Sequence, residues 1–128
     1  MAASAKPSAP RRIFVVDDNL ALAENLAELL ELEGYATEVF GSAEDALAGS
    51  VGRDLAFVVT DYRLPGLDGA ELVKRLKSLR GHVRAIVVSG HTDDGTASHA
   101  RAAGARFLTK PIDLHALRRF IREDAAAS

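Results

Sequence analysis

Short apolar runs alternate five times with longer amphipathic stretches along this chain. The runs are rich in Val, Ile, Leu and Phe, as is typical of strands buried on both faces of a sheet. They lie at residues 13–16, 35–40, 55–60, 83–88 and 105–109. Regular strand–helix alternation predicts one parallel sheet covered by helices on both faces, because parallel strands need crossover connections and these are right-handed.

The first amphipathic stretch predicts a helix over residues 20–33. Gly34 follows as a typical helix stop. Leucines recur at helical spacing within this stretch and should form one apolar stripe that faces the core. These leucines are Leu22, Leu26, Leu29 and Leu30.

Capping residues predict where later helices begin. Ser42 should cap a helix that runs to Leu47, since a serine hydroxyl accepts a hydrogen bond from an unpaired N–H of the first turn. The next helix should open at Asp68 or Gly69. Thr92 should cap an alanine-rich helix of small residues.

Length and composition favour a single soluble domain. The chain has 128 residues, of which 48% are hydrophobic, and this suits one apolar core. We expect a flexible tail at residues 1–11, a domain at 12–123 and a short tail at 124–128. The absence of cysteine excludes disulfides and thiolate metal sites. No apolar run approaches the roughly 20 residues that span a membrane, so we expect a cytoplasmic protein.

Polar residues stand directly after four of the predicted strands. They are Asp17 and Asp18, Asp61, Ser89 and Lys110. The carboxyl ends of parallel strands share one edge of the sheet, so these side chains should meet in one crevice. Three carboxylates, a hydroxyl and an ammonium suit a divalent cation and a phosphoryl group.

These residues also carry a family resemblance. The motifs are VDDN at 16–19, TDYRLPGLDG at 60–69, VSG at 88–90 and KP at 110–111. With these motifs in this order, the chain from about residue 12 to 122 resembles the receiver domain of two-component response regulators. The resemblance implies a flavodoxin-like (βα)5 fold, which is a doubly wound parallel sheet with strand order 2-1-3-4-5.

The resemblance implies a role for each acidic residue. Asp61 would accept a phosphoryl group from a histidine kinase or a histidine phosphotransfer protein. Asp18 would bind Mg²⁺ directly, whereas Asp17 would act through a water molecule. Asp61 and the backbone carbonyl of Arg63 would complete the cation site.

Lys110 and Ser89 would each bind an oxygen of the phosphoryl group. Ser89 and Phe107 would form the switching path, with Phe107 standing where the family often has a tyrosine. We also expect Lys110→Ala to fold normally and even to gain stability, because the substitution removes a partly desolvated charge. The histidines His82, His99 and His115 lack metal-ligand spacing and are interpreted as surface residues.

The function expected from these features is a phosphorylation-controlled switch that catalyses only its own phosphorylation and dephosphorylation. Two alternatives stay open: a small Mg²⁺-dependent phosphatase of the haloacid-dehalogenase type, and a pseudo-receiver that binds partners without phosphorylation. The receiver either stands alone or is excised from a hybrid histidine kinase or a larger response regulator. The downstream partner should be a protein. Nucleic acid is not favoured, because basic residues are dispersed in a chain of net charge −2. No glycine pattern indicates a nucleotide cofactor.

Overall fold

The computed structural model describes residues 11–90 and 94–127, and in this part of the chain five strands alternate with five helices. The strands are β1 (Arg12–Val16), β2 (Ala36–Phe40), β3 (Phe57–Asp61), β4 (Arg84–Ser89) and β5 (Arg106–Thr109). The helices are α1 (Leu20–Leu32), α2 (Ala43–Ser50), α3 (Gly69–Leu79), α4 (Asp94–Ala102) and α5 (Leu114–Ala127). Helix α5 continues past residue 123, where the sequence led us to expect the end of the domain.

All five strands form one parallel sheet in the order β2-β1-β3-β4-β5. This confirms the predicted doubly wound, flavodoxin-like topology. The register aligns the strand ends, because Val16 of β1 pairs with Thr60 of β3 and Asp61 pairs with Val88 of β4. Residues that follow these positions therefore emerge at the same edge of the sheet.

Alternate residues of the central strands enter two apolar layers on opposite faces of the sheet. On β1, Phe14 and Val16 pack with residues of α2, α3 and α4, whereas Ile13 and Val15 pack with residues of α1 and α5. All four side chains are almost fully buried. Full burial of one such side chain contributes about 1.5–3 kcal/mol, so strands buried on both faces dominate the stability of the sheet.

The observed helix limits follow the predicted caps with one extension. The side chain of Ser42 caps α2, as predicted, but the helix continues to Ser50 and does not end at Leu47. Asp68 caps α3 by accepting a hydrogen bond of 2.8 Å from the N–H of Glu71. The predicted cap Thr92 lies outside the described residues.

The buried stripe of α1 is narrower than its leucine pattern predicts. The residues that face the core are Ala23, Leu26, Ala27 and Leu30. Leu22 and Leu29 are 51% and 37% exposed, so their assignment to the core was wrong. They lie beside the stripe because α1 packs on the sheet through two alanines. This close packing leaves the larger side chains at its edge.

Candidate functional site

Three carboxylates converge where β1 and β3 end. Asp17 and Asp18 follow β1, Asp61 ends β3, and one oxygen from each lies within 4.8 Å of the others. The backbone is held by continued pairing of the sheet, because the N–H of Asp17 donates to the carbonyl of Phe40 at 3.0 Å. The Asp17 side chain also accepts a hydrogen bond of 2.9 Å from the N–H of Asn19. The acids are therefore held together by rigid strand ends.

Lys110 joins two of these carboxylates. Its Nζ lies 3.5 Å from Oδ2 of Asp17 and 3.4 Å from Oδ2 of Asp61. Its backbone N–H donates to the carbonyl of Ser89 at 2.9 Å, which extends the pairing of β4 with β5 to this edge. The ammonium is therefore placed by the sheet and bridges the ends of β1 and β3.

The remaining predicted residues lie at or next to the same edge. Ser89 ends β4, is 1% exposed, and stands one residue beyond Val88, the partner of Asp61 in the sheet. Arg63 is exposed in the loop that follows β3. Phe107 is half-buried on β5 and packs against the core layer that also contacts α4.

Burial raises the pKa of Asp61 above its ordinary value. The Lys110 ammonium lowers this pKa, and the negative charge of Asp17 raises it. The net effect is upward, so burial and the neighbouring acid outweigh the attraction of the ammonium. In the cation-free protein the charged form of Asp61 is thus less favoured than in a free aspartate.

The loop after Asp61 is fixed by contacts that the sequence did not reveal. The N–H of Gly69 donates to the carbonyl of Tyr62 at 2.8 Å, and the N–H of Leu67 donates to Oε2 of Glu44 at 3.2 Å. A Cβ at Gly69 would lie 2.3 Å from the carbonyl oxygen of Asp61, so only glycine fits. The Asp68-Gly69 pair at the start of a helix was the available signal for this close approach. No local sequence pattern indicated that Glu44 contacts this loop.

His99 on α4 also reaches this loop. Its side chain is 45% exposed, in agreement with a surface position, yet its Nδ1 lies 2.8 Å from the hydroxyl of Tyr62. Sequence reasoning missed this contact because the two residues are 37 positions apart.

An apolar groove of about 570 Å³ adjoins the carboxylates. Leu22 and Leu29 of α1 line one side, and Ile112 and Leu114 after Lys110 line the other. The exposed leucines of α1 therefore border the acidic site.

Among the described residues, no helix is long and apolar enough to span a membrane.

Comparisons with known proteins agree with this geometry. The chain is 42% identical over 102 residues to the transcriptional regulatory protein FixJ of Azorhizobium caulinodans. The aligned region covers 79% of this chain and 48% of FixJ. The chain therefore spans about half the length of that relative. A CheY-like receiver domain structure from Methanospirillum hungatei superposes with a TM-score of 0.84 at 27% identity, covering 93% of this chain and 99% of that one.

A third comparison concerns a response regulator structure from Burkholderia pseudomallei that contains a phosphorylated aspartic acid, a calcium ion and citrate. Its TM-score is 0.78 at 30% identity, with 84% of this chain and 64% of that chain covered. None of these comparisons favours the phosphatase or the pseudo-receiver alternative. The profile of the response regulator receiver domain matches residues 13–122. With this match, the strand order and the acidic edge, the chain belongs to the receiver domain family of two-component response regulators.

Proposed function

We propose that this receiver is a switch in which Asp61 accepts a phosphoryl group from a histidine kinase or a histidine phosphotransfer protein. The observation that carries the proposal is the single cluster of Asp17, Asp18, Asp61 and Lys110 at the end of the central strands. A carboxylate attacks phosphorus only where the negative charge of the incoming group is neutralised. Lys110 supplies one positive charge within reach of Asp61.

In the proposed reaction an Oδ of Asp61 attacks the phosphorus of a phosphohistidine. The new O–P bond forms as the P–N bond breaks, and the electron pair of that bond stays on the imidazole nitrogen, which leaves with the donor. Lys110 pairs with one phosphoryl oxygen, and the Ser89 hydroxyl donates a hydrogen bond to another. Hydrolysis of the resulting acyl phosphate returns Asp61 to its carboxylate form. We propose no other catalytic activity.

The residues present fit a magnesium ion. Three carboxylate oxygens within 4.8 Å of one another are hard donors, and such a set suits a small divalent cation that keeps several waters. Asp17, Asp18, Asp61 and the carbonyl of Arg63 would hold it. When bound, the cation neutralises charge on the phosphoryl oxygens. The phosphorylated aspartic acid and calcium ion of the Burkholderia structure support this assignment.

We propose that the phosphodonor protein docks in the apolar groove between α1 and the segment after Lys110. The side chain of Asp61 is only 11% exposed, so a donor imidazole must approach from the open edge of the sheet. The groove borders that edge, and its exposed Leu22 and Leu29 offer apolar surface to a partner. The downstream partner is also proposed to be a protein, and the site of action the cytoplasm.

Intact-mass measurement after incubation with acetyl phosphate tests the phosphorylation site. The wild type should gain one phosphoryl group in Mg²⁺ and little in EDTA, and hydroxylamine should remove it because acyl phosphates are labile to this nucleophile. Asp61→Asn should gain none. The control is Asp54→Asn, which changes a fully exposed acid in the loop before β3, at the opposite end of the strand from Asp61. This variant should behave as wild type. Full labelling of Asp61→Asn would refute the assignment.

A further inference from the structure

Helix α4 is tied to the loop that follows Asp61 by one tyrosine–histidine contact. Tyr62 directly follows Asp61, and its hydroxyl lies 2.8 Å from Nδ1 of His99 on α4. The two rings meet edge to face, with centroids 5.7 Å apart and planes at 77°. Oδ2 of Asp68, the cap of α3, lies 3.9 Å from the same Nδ1. One imidazole thus reaches both ends of the loop at residues 62–68.

This contact matters because α4 buries little else. Its buried residues in the described part of the chain are Thr96 and Ala100, which are both small. Small side chains remove little apolar surface from water, so α4 belongs to the less stable elements of the fold. The hydrogen bond between the Tyr62 and His99 side chains adds to the contacts that hold this helix beside the loop.

Two further contacts fix the loop from α2 and from within its own segment. Glu44 holds Leu67 from the side of α2, and Gly69 closes the loop onto Tyr62 within the segment itself. Because Tyr62 directly follows Asp61, a change at Asp61 that moves the neighbouring backbone reaches α4 through the Tyr62 side chain. Binding can shift an equilibrium only through contacts that differ between two states, and this contact is suited to differ.

We infer that the Tyr62–His99 contact is a latch that favours the arrangement of α4 in the unmodified protein and is released when Asp61 is phosphorylated. This inference rests on the proposed function, since it names how modification of that site is transmitted. The latch stabilises only the unmodified state. Linkage then requires its removal to favour the modified state by the same factor.

Beryllofluoride, which mimics the phosphoryl group on a carboxylate, tests the latch in the presence of Mg²⁺. His99→Ala and Tyr62→Phe should each bind it about fivefold more tightly than wild type, which corresponds to about 1 kcal/mol. The double variant should bind no more tightly than His99→Ala, because that variant already removes the hydrogen bond that Tyr62→Phe breaks. Ser98→Ala, at the exposed neighbour of His99, should match wild type and so controls for helix propensity.

Amide hydrogen exchange of residues 94–103 gives a second, independent measurement. In the unmodified state, exchange should be faster in His99→Ala and Tyr62→Phe than in wild type, and beryllofluoride should raise the wild type to their level. Glu44→Ala, which loosens the loop from the side of α2, should leave exchange of this segment unchanged.

The outcomes separate the latch from the function on which it depends. Unchanged or weaker beryllofluoride binding by the two variants, or unchanged exchange in α4, would overturn the latch while leaving phosphorylation intact. A wild type that neither binds beryllofluoride nor accepts phosphoryl from acetyl phosphate would overturn the proposed function, and the coupling with it.

Discussion

Loss of the Lys110 ammonium should destabilise the cation-free protein. The ammonium lies 3.5 Å from Asp17 and 3.4 Å from Asp61, so Lys110→Ala removes two attractions at once. It also leaves carboxylates within 4.8 Å of one another without the ammonium that bridges two of them. This reverses the expectation from the sequence that removal of a desolvated charge would leave stability intact or raise it.

The expected loss of stability in Lys110→Ala follows from the distances between the charges and from the exposure of the lysine side chain. At 3.4 Å two opposite unit charges attract by about 5 kcal/mol at an effective dielectric constant of about 20, and by about 1.2 kcal/mol in bulk water. The Lys110 side chain is 31% exposed, so solvent screens both pairs and keeps the effect well below the first value. In the wild type the ammonium regains its hydration on unfolding, and this offsets part of the attraction. We expect a net loss of about 1–3 kcal/mol at neutral pH, between the values for exposed and buried pairs.

Urea unfolding followed by circular dichroism measures this loss. The free energy of unfolding of Lys110→Ala and of Lys110→Met, which keeps much of the aliphatic chain, should fall by similar amounts in EDTA. Saturating Mg²⁺ should narrow the gap to wild type, because the cation supplies positive charge to the same oxygens. Lys74→Ala, at an exposed lysine of α3, is the control. Equal stability of Lys110→Ala and wild type in EDTA, or a gap that Mg²⁺ does not alter, would refute the reasoning.

Two further predictions concern the backbone and charge of Asp61. Because the pKa of Asp61 is raised, its ionisation should lower the stability of the cation-free wild type as pH rises from the ordinary aspartate pKa of 3.8 through the raised value. Asp61→Asn should therefore melt at a higher temperature than wild type at neutral pH and lose this advantage in acid; thermal melts that show no advantage at neutral pH would contradict the prediction. Gly69→Ala should lose about 2 kcal/mol in urea unfolding, because its Cβ would meet the Asp61 carbonyl oxygen at 2.3 Å. Gly81→Ala, where no atom lies within 4 Å of the added Cβ, is the matched control, and equal losses in both variants would exclude this explanation.

Much of the fold was predictable because the strands are buried on both faces. Such strands appear as continuous apolar runs, and the first polar residue after each run marks the carboxyl edge of the sheet. From the sequence alone, that reasoning predicted that Asp17, Asp61, Ser89 and Lys110 lie at one edge of the sheet. In the structure the Lys110 ammonium contacts the carboxylates of both Asp17 and Asp61. Local chemistry also sufficed for the Ser42 cap.

The parts that escaped prediction depend on contacts between distant residues. Helical spacing placed Leu22 and Leu29 on the buried stripe, but the packing of α1 through its alanines decides which neighbours of that stripe stay exposed. Glu44 and Leu67 are 23 positions apart, and no local pattern joins them. The two opposite expectations for Lys110→Ala await measurement, since the sign depends on whether the nearby carboxylates offset the desolvation of the ammonium.

The free energy that the Tyr62–His99 contact contributes limits its part in the switch. Moving an equilibrium from 1:99 to 99:1 requires about 5.5 kcal/mol of difference between the states, whereas one side-chain hydrogen bond contributes about 1 kcal/mol. The Tyr62–His99 contact therefore biases α4 and does not by itself hold it in one state. We propose that Ser89, buried at the end of β4, and Phe107, packed on the core layer beside α4, supply the remainder. His99→Ala should for this reason still respond to beryllofluoride. The beryllofluoride concentration at half-saturation should be lower than in wild type, and the structure of the modified state should be unchanged.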